Sequence, residues 1–104
     1  MQSVVHGDPK DANFYFAADG TPQLYDFQYC GKACPAKDVA YCLCCGSSAW
    51  DDADALARGY HRDLASALAA RGDEAPPVDA FLESLELAYA DLGRWMSGWG
   101  WWGN

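Results

Sequence analysis

No stretch of the 104 residues approaches the ~20 consecutive apolar positions that a bilayer-spanning helix requires. Nor is Met1 followed by the charged segment and apolar core of a secretory signal. Together these absences make a cytoplasmic location the expectation. Basic charge is also scarce, with seven Lys and Arg against fifteen Asp and Glu and a net charge of −8. A field of that sign repels nucleic acid and anionic membrane, so neither is expected as a partner. An evenly paired cysteine framework is missing too, because Cys30, Cys34, Cys42, Cys44 and Cys45 are odd in number and crowded together. Their spacing does not make zinc knuckles, and they read as small buried hydrophobes. No repeat or low-complexity block occurs.

Apolar and aromatic residues are plentiful, at 51% hydrophobic with five Trp, six Tyr and four Phe. Such a chain is not disordered, and at this length it forms one domain that buries somewhat over ~60% of its unfolded surface. Residues 2–5 read as an extended lead-in and 14–16 as a strand. Asp19-Gly20 marks a turn over 17–22, and 23–27 is the returning strand. Residues 29–34, with Gly31, read as a loop. Pro35 suits the first turn of a helix over 35–45 that stops at Gly46, with Val39, Leu43 and either Ala40 or Cys42 on its apolar face. Ser48 and Asp51 suggest a cap for a second helix over 49–71, closed by Gly72. Its periodic residues are Trp50, Ala53, Ala57, Tyr60, Leu64, Ala67 and Leu68. Two prolines make 73–77 a linker. A third helix over 78–96 carries Phe81, Leu82, Leu85, Tyr89, Leu92 and Trp95 in one stripe, and the Trp-rich 98–103 is irregular. An aromatic cage for a quaternary ammonium group is one reading of that tail, and core or interface packing is the favoured one. The class is α+β and mostly helical.

The chemistry concentrates in residues 4–28. An apolar start leads into a loop holding His6, Asp8, Lys10 and Asn13, and Asp26 follows across the hairpin. Phosphoryl transfer is mostly positioning and charge neutralisation, with metal ions bridging phosphate oxygens. Mg²⁺ accepts one or two protein oxygens and completes its shell with water and phosphate. Asn13 and Asp26 supply such oxygens if the hairpin brings them together. Asp8 is then left to accept the proton of an attacking hydroxyl, and Lys10 has the sign and reach to meet the transferring group. Asp38 falls in the first turn of its helix, where the dipole favours a carboxylate that can reach back to loop amides.

His6-Gly7-Asp8-Pro9-Lys10-Asp11-Ala12-Asn13, followed by Asp26-Phe27-Gln28, resembles the catalytic and metal-binding loops of the protein-kinase-like superfamily, H-R-D-L-x-x-x-N and D-F-G. Gly7 and Gln28 depart from the protein-kinase form. They resemble the aminoglycoside phosphotransferases, choline kinases and the ecdysteroid-kinase-like (CHK-like) group, a similarity that continues through Lys37-Asp38-Val39-Ala40-Tyr41. The resemblance implies ATP and Mg²⁺ as cofactors and Asp8 as catalytic base. It also implies Asn13 and Asp26 as metal and cofactor ligands, Lys10 near the donor phosphate, and Asp38 and His6 as supports of the site, His6 by bonding backbone near Asp26. Only residues 29–34 separate Gln28 from Pro35 and no Ala-Pro-Glu follows, so a peptide-docking segment does not fit. A small-molecule alcohol is the expected acceptor, whether choline-like, steroid-like, sugar or aminoglycoside.

Residues 1–28 would hold the catalytic and metal-binding loops with their hairpin, and 35–104 a helical subdomain. A glycine-rich loop and a strand lysine paired with a helix glutamate, which nucleotide binding also uses, have no candidates here. By resemblance, then, residues 1–104 are the C-terminal, catalytic lobe of a kinase-like fold with the N-terminal lobe absent. Alone it should be inactive, bind nucleotide weakly and expose an apolar face. A non-catalytic kinase-like binding or regulatory module is the alternative.

Overall fold

The computed structural model describes residues 1–45 and 50–99, with the side chain of Trp99 excepted. Two short antiparallel ribbons precede three helices. Strand β1 (Ser3–Val5) pairs with β4 (Gly31–Ala33), setting Ser3 opposite Ala33 and Val5 opposite Gly31. Strand β2 (Phe14–Phe16) pairs with β3 (Pro22–Leu24), setting Phe14 opposite Leu24. Between β2 and β3 the Asp19 carboxylate accepts from the Thr21 amide at 2.9 Å, and Gly20 takes a φ of +85°, which glycine adopts without steric cost.

Helix α1 (Ala36–Cys45) buries Ala36, Val39, Ala40 and Leu43, the spacing of one helical face. That face meets Phe81, Leu85 and Ala88 of α3 (Val78–Trp99), and Ala57 of α2 (Ala53–Ala69) joins the same cluster. Small residues on α1 let the helices approach closely. Phe81, 2% exposed, is the largest side chain there and stacks on Tyr60 at 5.6 Å. Ala40, rather than Cys42, completes the apolar face of α1.

Several expectations need correction. Residues 31–33 form β4 instead of lying in a loop. Gly-Lys-Ala has little strand preference of its own, and the unpaired edge of β1 supplies the partner. The returning strand stops at Leu24 rather than reaching residue 27, because Asp26 has φ +61° and no strand passes through that conformation. A 3-10 turn over Trp50–Asp52 leads into α2, which therefore begins at Ala53 and ends at Ala69. The residue that caps it, Asp52, makes no side-chain capping bond, while Gly46 and Ser48 lie outside the described residues. Of the seven periodic positions Trp50 falls in that 3-10 turn, and only Ala57 of α2 is buried, with Ala53 and Tyr60 packed beside it. Gly72 follows in a left-handed conformation, φ +80°. Helix α3 runs to Trp99, so the start of the Trp-rich segment is helical, and residues 100–103 lie outside the described residues, as does any cage they would form. His61 donates from Nε2 to the Pro76 carbonyl at 2.7 Å, tying α2 to the linker.

Candidate active site

The loop after β1 is held from both sides. The backbone amides of His6 and Gly7 donate to the two oxygens of Asp38 at 2.6 and 3.0 Å, so the first turn of α1 grips the loop where it leaves the strand. His6 is buried, and its Nε2 donates to the Tyr25 carbonyl at 2.8 Å while Nδ1 accepts from the Asp8 amide at 3.2 Å. A neutral imidazole with its proton on Nε2 satisfies both bonds. The Phe27 ring covers the imidazole at 5.0 Å. His6 thereby links three points: β1, the loop, and the backbone just before Asp26.

Gly7 answers why the residue after His6 has no side chain. Its φ is +90°, and a methyl group built there would collide with the Tyr29 carbonyl oxygen and come within 2.7 Å of the Tyr29 Cβ. An arginine at that place, as in H-R-D, does not fit this backbone.

Asp8 is 6% exposed and fully engaged by polar partners. Tyr41 donates its hydroxyl to Oδ1 at 2.7 Å, whereas Asn13 Nδ2 and Lys10 Nζ meet Oδ2 at 3.1 and 3.2 Å. Burial pushes the Asp8 carboxyl up, but the hydrogen bonds from Tyr41 and Lys10, the Lys10 charge and the Asn13 amide outweigh it and hold the group below its ordinary range. For Tyr41 the same contact works in reverse. Burial first, then the bond to and charge of Asp8, push the phenol well above its usual range, so Tyr41 remains a proton donor.

Asn13 closes a 3-10 turn over Asp11–Asn13 and is itself buried. Its Nδ2 also donates to the Asp8 carbonyl at 2.9 Å. Both of these side-chain bonds run through nitrogen, so neither occupies the amide oxygen, which is the atom a hard cation would take. Its backbone carbonyl accepts from the Tyr25 amide at 3.1 Å, which puts Asp26 one residue beyond the direct partner of Asn13. Asp26 is exposed, and among the described residues its carboxylate makes no hydrogen bond or ion pair. No group of three or more His, Cys, Asp or Glu that could hold a metal occurs among the described residues. The oxygens of Asn13 and Asp26 nevertheless suit Mg²⁺, which is commonly bound by one or two carboxylates together with substrate phosphates and water. All-protein cages are not its habit.

Asp8, Lys10 and Tyr41 line a cavity of about 660 Å³ between the β1–β4 ribbon, α1 and α3, within the range of small-molecule sites. Asn13 and Asp26 are not in its wall. Tyr41 was not among the residues the sequence pointed to as a site group, although it stands three positions after Asp38 and so on the same side of α1, facing the same loop.

The fold around this site is α+β and predominantly helical. A family model for the phosphotransferase enzyme family (APH) matches residues 1–99. The chain belongs to that family. No curated protein matches the chain, and no solved structure does. No helix among the described residues is long and apolar enough to cross a membrane.

Proposed function

We propose that the protein transfers the γ-phosphoryl group of ATP to a hydroxyl of a small molecule, and that it stands among the small-molecule, CHK-like kinases. The observation that carries this reading is the Asp8 carboxylate. It is buried, yet it is surrounded by proton donors and faces a cavity sized for a small molecule. Asp8 takes the proton of the acceptor hydroxyl as the hydroxyl oxygen bonds to the γ-phosphorus. The bond from that phosphorus to the β–γ bridging oxygen breaks, and ADP leaves with the electron pair. Lys10, 3.2 Å from Asp8, is half-exposed and able to swing its charge onto the transferring group. Members of the family generally use ATP and Mg²⁺. Asn13 and Asp26 are the residues that would hold the ion, which when bound neutralises charge on the donor phosphates. His6 and Asp38 act as supports, fixing the loop and the backbone before Asp26.

The aromatic and aliphatic side chains of the hairpin support one more element of the proposal. Phe16 is 70% exposed and Phe27 57%, with Tyr15, Leu24 and Tyr25 exposed beside them. A second, nucleotide-covering lobe packing there would bury them, with residues 1–104 serving as the catalytic lobe.

Phosphoryl transfer to a panel of small alcohols, followed with labelled ATP on the full-length gene product, tests the reading. Asp8→Asn should lower kcat about 10²–10⁴-fold, the usual contribution of a positioned base, while sparing nucleotide binding. Turnover retained in Asp8→Asn removes Asp8 from its role.

A further inference from the structure

The chain contains only three lysines, Lys10, Lys32 and Lys37, and all three line the cavity beside Asp8. In a protein of net charge −8 this is a concentration of positive charge at one place. They come from three different elements: the catalytic loop, β4 and the first turn of α1. A lysine on an edge strand is commonplace. One in the first turn of a helix is not, because it opposes the dipole.

Three carboxylates share the wall, and each has its own partners. Asp8 is held by Tyr41, Lys10 and Asn13, and Asp38 by the amides of His6 and Gly7. Asp91 takes Arg94 at 2.8 Å. The bond and charge of Arg94 hold the Asp91 carboxyl below its ordinary range, and Lys37 adds a smaller pull from across the cavity. Among the described residues Lys32 has no ion pair, and Lys37 has only that distant attraction. Asp8 lines this cavity and Asn13 and Asp26 do not, so a molecule seated in it would meet Asp8 without displacing the residues proposed to hold the ion.

From this juxtaposition we infer that the acceptor is an alcohol carrying an anionic group, a carboxylate or a phosphate, held by Lys32 and Lys37 while its hydroxyl meets Asp8. The inference deepens the phosphotransferase reading and rests on it for the role of Asp8. The negative field of the whole chain would repel such a molecule, and the two lysines give it one place to bind. Each bond from an ammonium to an anion is of the charge-assisted kind.

The test is calorimetric titration of the protein with glycerate and glycerol 3-phosphate as anionic alcohols, glycerol as the neutral twin and choline as the cationic one. At low salt at least one anionic alcohol should bind roughly tenfold or more tightly than glycerol or choline, with the preference shrinking as salt is added. Lys32→Ala/Lys37→Ala, two exposed positions, should erase the preference and leave Mg-ATP affinity unchanged. Equal affinities, tighter choline, failure of both anions to bind, or a preference that survives the double variant overturns the inference. A parallel loss of Mg-ATP affinity also overturns it, since the lysines would then serve the donor phosphates. Binding is read without turnover, so the two readings fail separately. Transfer to neutral alcohols alone would keep the activity and sink the anionic acceptor, while anion preference in a protein without transfer would do the reverse.

Discussion

The two halves of the candidate site are built differently. The loop from His6 to Asn13 is buried at His6, Asp8 and Asn13, and each of these is tied by hydrogen bonds to α1, to the hairpin or to its neighbours. The hairpin that delivers Asp26 is exposed along β3, and it is fastened to that loop by few bonds: His6 to the Tyr25 carbonyl, the Tyr25 amide to Asn13, and the Tyr25 hydroxyl to the Ala12 carbonyl. One half is tied to α1 and the helical core behind it, whereas the other leaves Tyr15, Phe16, Leu24 and Tyr25 exposed. The groups around Asp8 are therefore held in place by the fold itself, and the Asp26 side of the candidate site is the more loosely fastened.

Gly7→Ala attacks the anchored half most severely. The added methyl would meet Tyr29 backbone and also require a left-handed backbone from a non-glycine residue, at a combined cost of about 2–4 kcal/mol in urea unfolding. Gly20→Ala is the control from the exposed half. Its φ is +85° but nothing lies within 4 Å, so only the conformational cost, about 1 kcal/mol, should appear. Equal losses at both positions would erase the contrast between the halves.

Asp38→Ala comes next, leaving the His6 and Gly7 amides without their acceptor at a cost of about 1–3 kcal/mol, read by the same unfolding measurement. Tyr41→Phe is expected to be milder, about 1–2 kcal/mol at neutral pH, for one hydrogen bond to a charged group. Its pH dependence sharpens the comparison. The Asp8 carboxyl is held below its ordinary range, so its contribution is full above the unfolded pKa of ~3.9 and is lost as pH falls through the folded value. Removing the phenol raises that folded value, and the acid limb of the stability profile should move to higher pH. An unmoved acid limb would mean that Tyr41 does not hold Asp8.

Much of the anchored half was legible in the chain. Loop residues His6, Asp8, Lys10 and Asn13 form a local constellation, and Asp38 stands at the start of a helix whose 3.6-residue period is plain in Val39, Ala40 and Leu43. Gly-Lys-Ala gave no sign of becoming β4, because its pairing with β1 is supplied by partners far back in the chain, as in Val4 opposite Lys32. The left-handed backbone at Asp26, which ends β3 early, is likewise a tertiary choice. Lys32 and Lys37 look scattered in one dimension, and only the fold collects them with Lys10 around one cavity.

In the proposed function the anchored loop and the exposed hairpin converge on one divalent ion beside a phosphate. Nuclear magnetic resonance of the labelled protein with ADP, titrated with Mn²⁺ as a paramagnetic substitute for Mg²⁺, would show whether they do. Broadening should centre on the amides of Asn13 and Asp26 and their neighbours and leave α2 sharp. Broadening centred on Asp91 or the acidic start of α2, with Asn13 and Asp26 unaffected, would contradict the account.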